Sequence, residues 1–121
     1  MRRLSIIGPG AWGSALAVQA RRAGLAVELL GRRAGEVEGF AVAPLAATAP
    51  SGEAVLVVVK SGVVAEVCRL LRGRLEPTRP LVLCAKGLDA PGPRLPGDAV
   101  QAVLPGQRVI ELSGPRFADE G

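Results

Sequence analysis

Apolar residues in this chain fall into short runs punctuated by glycine, proline and charge. Residues 4–7 form a compact apolar run that stops at Gly8-Pro9-Gly10, the pattern of a buried parallel strand ending in a tight turn. Residues 12–23 are helix formers, with Ala15, Leu16, Val18 and Ala20 expected to give a small-residue face. Arg21 and Arg22 lie in the last turn, where cations complement the helix C-terminus, and Gly24 is placed as the left-handed stop. Residues 25–30 make a second apolar run. Strand, turn, helix and strand thus fit within about thirty residues, the size of one βαβ unit.

The same alternation returns farther on. Residues 54–59 (A-V-L-V-V-V) are nearly all β-branched, as expected of a strand covered on both faces. Ser61 is a candidate cap for the helix that follows, whose apolar positions Val63, Val64, Val67, Cys68, Leu70 and Leu71 keep one face at a 3.6-residue period. Pro77 and Pro80 close that segment. Residues 81–85 predict another strand, 98–104 a short helix after a Pro/Gly-rich stretch, and 109–112 a last strand. Residues 34–52 have no clear period; a stubby helix and a short strand at 46–48 are expected there. Strands alternating with helices imply an α/β fold with a mostly parallel, doubly wound sheet and helices on both faces, formed by residues 1–121 as one domain.

Composition narrows the chemistry. An apolar content of 49% and a mean hydropathy of +0.33 are too high for a disordered chain, while no apolar run reaches the ~18 residues of a membrane span. Without His, Tyr or Asn, the chain has no imidazole base, no His-ligated metal and no tyrosine proton donor. Cys68 and Cys84 lack metal-ligand or redox spacing, so they read as free, buried, cytosolic thiols and no metal site is expected. The N-terminal stretch is basic and then apolar, but stops at Gly8 too soon for an export signal. The net charge of +4 is spread along the chain, and the three aromatic residues, Trp12, Phe40 and Phe117, form no stacking platform; nucleic acid is not an expected partner.

The string Gly8-Pro9-Gly10-Ala11-Trp12-Gly13 fits G-x-G-x-x-G, placed directly after a predicted strand and opening a predicted helix. In the Rossmann-type dinucleotide fold, Gly8 would permit the turn, Gly10 would let the backbone approach a pyrophosphate, and Gly13 would let helix and sheet close on each other. NAD or NADP is therefore the expected cofactor. The ribose-binding acid that often lies about twenty residues on is missing; the second strand ends in Leu30-Gly31-Arg32-Arg33, where a guanidinium suits a 2′-phosphate. This favours or tolerates NADP, the alternative being two solvated surface arginines.

Several segments together resemble the N-terminal cofactor domain of bacterial NAD(P)-dependent glycerol-3-phosphate dehydrogenase: G-P-G-A-W-G-S-A-L-A at 8–17, L-L-G-R-R at 29–33, V-V-V-K-S at 57–61, A-K-G-L at 85–88 and L-S-G-P-R-F-A at 112–118. The resemblance implies that Ala11 and Trp12 touch the cofactor beside the three glycines and that Arg32 contacts the adenosine ribose or its phosphate. It further implies that Lys86 sits where cofactor and substrate meet, that Gly114 and position 116 contact substrate, and that Ala118 contacts cofactor. The implied reaction interconverts sn-glycerol 3-phosphate and dihydroxyacetone phosphate, with a phosphorylated small molecule as partner and a cytoplasmic setting. No residue of this chain is assigned a catalytic role.

Three departures stand out. The family usually has Ser or Thr at 116 and Pro at 60, where this chain has Arg116 and Lys60, and residues 34–52 are fewer than the family's corresponding stretch. The family's second, all-helical domain would follow Gly121, so the expectation for this chain alone is cofactor binding without efficient turnover. The alternative is a stand-alone NADP-binding or interaction module without catalysis; a third reading is a relative such as a ketopantoate reductase or another β-hydroxyacid dehydrogenase. Apolar surface near 109–121 would favour a homo-oligomer.

Overall fold

A computed structural model describes residues 2–84 and 96–112. Strand β1 (Arg3–Ile7) leads through helix α1 (Ala11–Arg22) to β2 (Ala26–Gly31). A hairpin of β3 (Gly35–Val37) and β4 (Phe40–Pro44) follows, then β5 (Ala54–Val57), α2 (Val64–Leu71), β6 (Leu81–Leu83), α3 (Pro96–Val103) and β7 (Val109–Glu111). The sheet order is β3-β4-β2-β1-β5-β6-β7, with every pairing parallel except that of the β3 edge. The chain builds outward from β1 to β2 and β4, then returns to β1's other side and builds through β5, β6 and β7. This is a Rossmann-type doubly wound sheet, as expected, and its order reverses beside β1.

Strand alternation sends the two faces to different helices. Ile7, Leu30, Val55, Val57, Leu81 and Leu83 pack with Val64, Val67, Cys68 and Leu71 of α2 and Val100 of α3. Leu4, Ile6, Leu29, Val42 and Ala54 pack with Ala17 of α1. Each fully buried aliphatic side chain contributes about 1.5–3 kcal/mol of transfer free energy, so these two layers hold the C-terminal strand ends in place. Both thiols are buried and free, as expected.

Helix α1 approaches the sheet through smaller residues than its apolar pattern suggests. Gly13, Ser14 and Ala17 are buried, whereas Leu16, Val18 and Ala20 are half-buried and Ala15 is exposed. The Ser14 hydroxyl is satisfied locally, donating to the carbonyl of Gly10 at 2.7 Å. At the other end, the Leu25 N–H reaches the Ala20 carbonyl and the Gly24 N–H the Arg21 carbonyl, with Gly24 at φ +92°. That paired closure is the left-handed stop expected from the sequence.

Two expectations are corrected. Residues 34–52 contain a β-hairpin, with no helix, and residues 46–48 leave β4 through a turn. The reason is local: Glu38 and Gly39 both take positive φ, 52° and 82°, the geometry of a two-residue hairpin turn. This brings Val37 opposite Phe40 and buries Phe40 and Val42 on one side. The N-cap position of α2 falls on Val63 and not on Ser61, because a 3₁₀ turn over Ser61–Val63 precedes the helix.

Candidate functional site

The C-terminal ends of β1, β2 and β5 meet where the sheet order reverses, the place where open α/β sheets bind ligands. The turn after β1 is built by close backbone approach. Gly8 takes φ +118°, and a Cβ there would lie 2.1 Å from the Val58 carbonyl oxygen; at Gly13 it would lie 1.9 Å from the carbonyl oxygen of Gly8. Hydrogen bonds from the Gly8 N–H to the Leu30 carbonyl and from the Val58 N–H to the Ile7 carbonyl tie the turn to both neighbouring strands.

Gly10 differs in kind. It is the N-cap of α1 with an ordinary extended conformation, and a Cβ added there meets nothing within 4 Å. Its missing side chain therefore leaves open space in front of the helix start. The first turn of α1 carries no acidic side chain, so the positive end of the helix dipole keeps its sign at that opening.

Three clefts border the turn: one of about 460 Å³ runs along α1 from Pro9 and Gly10 to Val37 and Glu38, and two others share Val59. The larger of these two, about 740 Å³, is walled by Gly8, Pro9, Leu45, Val63, Val67 and Leu70 and carries Arg32, Arg33 and Glu66 as its charged groups. An Arg32 guanidinium nitrogen lies 3.2 Å from the Glu66 carboxylate, and both side chains are at least half exposed. The smaller, about 320 Å³, is lined by Gly10, Ala11, Trp12, Gly13, Val58, Lys60 and Cys84. Burial pushes the Cys84 thiol up to about 11, so it faces the cleft as a neutral group at physiological pH and is no nucleophile there.

The structure thus gathers Gly8, Gly10, Ala11, Trp12, Gly13 and Arg32 around one turn, and Lys60 lines the same cleft as Trp12. Lys86, Gly114, Arg116 and Ala118 lie outside the described residues. Sequence reasoning missed Glu66, a carboxylate that reaches the arginine-bearing cleft from a different element than the second strand. No spacing in the sequence marks it: Glu66 sits in the first turn of α2, and its approach to Arg32 comes from the crossover between elements.

Strand order and glycine turn define an α/β domain of the Rossmann type. The family model described as the NAD-dependent glycerol-3-phosphate dehydrogenase N-terminus matches residues 40–120, about two-thirds of the chain, and the chain belongs to that family. A glycerol-3-phosphate dehydrogenase [NAD(P)+] of Azorhizobium caulinodans is 38% identical over 141 aligned positions, covering 98% of this chain and 42% of the relative. Those positions outnumber the chain's 121 residues, so the relative is longer over the matched region, the direction expected from the short 34–52 stretch. The solved glycerol-3-phosphate dehydrogenase of Coxiella burnetii superposes with a TM-score of 0.76 at 26% identity, covering 98% of this chain and 42% of that one. A dimeric ketopantoate reductase of Staphylococcus aureus shares the fold, with a TM-score of 0.68 at 18% identity over 90% of this chain and 41% of its own. The chain spans two-fifths to half the length of the curated relatives it matches.

Proposed function

We propose that this chain binds NAD or NADP across the Gly8–Gly13 turn and serves as the cofactor-binding part of an enzyme interconverting sn-glycerol 3-phosphate and dihydroxyacetone phosphate. The observation that carries the reading is that two clefts meet at Val59 beside the turn, one lined by Gly8 and Pro9 and the other by Gly10 to Gly13, with the helix start left open at Gly10, at the point of strand-order reversal. A dinucleotide has that shape: two nucleosides joined by an anionic bridge. Gly10 and the start of α1 would receive the bridge, and Arg32 and Arg33 would face the adenosine ribose or its 2′-phosphate. Ala11, Trp12 and Lys60 would line the nicotinamide side, with Gly8 and Gly13 holding the turn. The bound nicotinamide supplies the hydride chemistry. Lys86 and Ala118 would complete the cofactor contacts, and Lys86, Gly114 and Arg116 would meet the phosphorylated substrate.

Hydride transfer also needs the substrate carbon fixed against the ring and an acid or base in reach of its oxygen. The described residues near the smaller cleft offer a neutral thiol and one ammonium, Lys60, which supports the reading that this chain binds cofactor without efficient turnover. Mixing it with NADPH and dihydroxyacetone phosphate and following cofactor absorbance tests this. Binding with negligible oxidation is expected; rapid oxidation would overturn the no-turnover reading, and absence of binding would overturn the cofactor reading. Binding unaccompanied by turnover even when the remaining portion of a family enzyme is supplied would favour a stand-alone binding module.

Self-association follows from a second feature. Ile6, Leu56, Val82 and Ile110 are register partners in one row across the sheet. Ile6, beneath α1, is buried, while Ile110 and the nearby Leu112 are 40% and 51% exposed. A concentration-dependent mass in light scattering is the expected result, and a constant monomer mass would contradict it.

A further inference from the structure

We infer that Glu66 is a specificity-determining residue that biases the larger cleft toward the unphosphorylated dinucleotide, an inference that rests on the cofactor reading above. The sequence around the end of β2 favours a 2′-phosphate, because Arg32 and Arg33 follow the strand and residues 29–35 contain no acid. Geometry changes that picture. Glu66, thirty-four residues later in the first turn of α2, lines the same cleft and holds its carboxylate 3.2 Å from the Arg32 guanidinium.

Two consequences act in the same direction. A 2′-phosphate must compete with Glu66 for Arg32, and must also accept a carboxylate as its neighbour. A ribose 2′-hydroxyl instead meets an acceptor of the kind usually supplied from the second strand. Here the acid would come from the opposite wall, so the cleft presents the ribose edge with a cation from β2's end and an anion from α2. The walls between them are apolar, formed by Val63, Val67 and Leu70, and lie where an adenine ring would sit against them. Glu66 is half exposed, and its contact with Arg32 is a surface ion pair, so its removal leaves the core untouched.

The test is the ratio of NADPH to NADH dissociation constants, measured by calorimetry for the wild-type chain and for Glu66→Gln at low and moderate salt. Glu66→Gln is expected to shift the ratio toward NADPH by about two- to fivefold, the size of one exposed charge interaction, and the shift is expected to shrink as salt rises. A purely structural role would move both constants together and leave the ratio alone. If both nucleotides bind and the ratio is unchanged, or moves toward NADH, this inference falls while the cofactor reading stands. If the wild-type chain binds neither nucleotide, the cofactor reading falls and takes the inference with it.

Discussion

The two ends of the β1–β2 pair use their polar groups in opposite ways. Toward the N-terminal end the structure closes on itself. The fully buried Ser5 donates to the Glu28 carboxylate at 2.7 Å and accepts from the Gly52 N–H at 2.8 Å. Glu28 also receives the Ser51 N–H, and Arg3 reaches both Ser51 and Glu28. Among the described residues no buried side-chain nitrogen or oxygen lacks a partner. Toward the C-terminal end the strands stop at backbone turned by glycine and at an exposed pair, Arg32 and Glu66. One end is a latch satisfied within the protein; the other keeps an open helix start and solvent-exposed charges where a ligand can compete. The contrast teaches that one pair of strands can combine rigidity and availability by dividing them between its ends.

The strongest way to break this contrast is to add a methyl group where the open end is built from backbone. Gly13→Ala puts a carbon into the carbonyl of Gly8 and is expected to cost at least about 3 kcal/mol, or to prevent folding, with nucleotide binding lost as well; urea denaturation reads it. Gly10→Val is the matched control. It places a branched side chain in open space, so the chain should lose no more than about 1 kcal/mol of stability, mostly through a poorer helix cap, while NADPH binding disappears. Gly10→Val unfolding as badly as Gly13→Ala would show that the three glycines do not have separate roles.

A smaller effect sharpens the view of the closed end. Ser5→Ala strands the Gly52 N–H and removes one partner of Glu28, which should cost about 1–3 kcal/mol without changing nucleotide affinity at constant folded fraction. Equal losses of stability and affinity would mean that the two ends are not independent.

The smallest effect concerns the thiols. Burial raises both Cys68 and Cys84 from 9.0 to about 11, while the unfolded chain titrates at the ordinary value. The unfolded state therefore ionises first: the stability from keeping both thiols neutral is complete below pH 9 and is lost progressively as pH climbs to about 11. Urea midpoints for the wild type and for Cys68→Ala should converge in slope at neutral pH and diverge in that alkaline window, the variant falling less steeply. Parallel curves throughout would contradict the assignment.

Much of this architecture was legible in the residues. The β1-turn-α1-β2 unit could be read because a strand-length apolar run, three spaced glycines and a glycine stop each impose a separate constraint, and all agree. The β3–β4 hairpin could not be read: its turn is Glu38-Gly39, where a non-glycine residue takes a positive φ, and its strands are only three and five residues long. Alternation in F-A-V-A-P is muted by alanine, whose small side chain marks neither a buried nor an exposed face. Within the site, the arginines at the end of β2 were readable from their distance to the glycine turn. Glu66 was not singled out, because its importance comes from the crossover that folds α2 over the end of β2, and that proximity exists only in three dimensions.

The most direct test of the central claim is calorimetric titration of NADPH into the wild-type chain beside Gly10→Val. Saturable binding at one site in the wild type and no heat of binding in the folded variant is the predicted result. Equal affinity in the two proteins would contradict the claim that the bare helix start receives the cofactor.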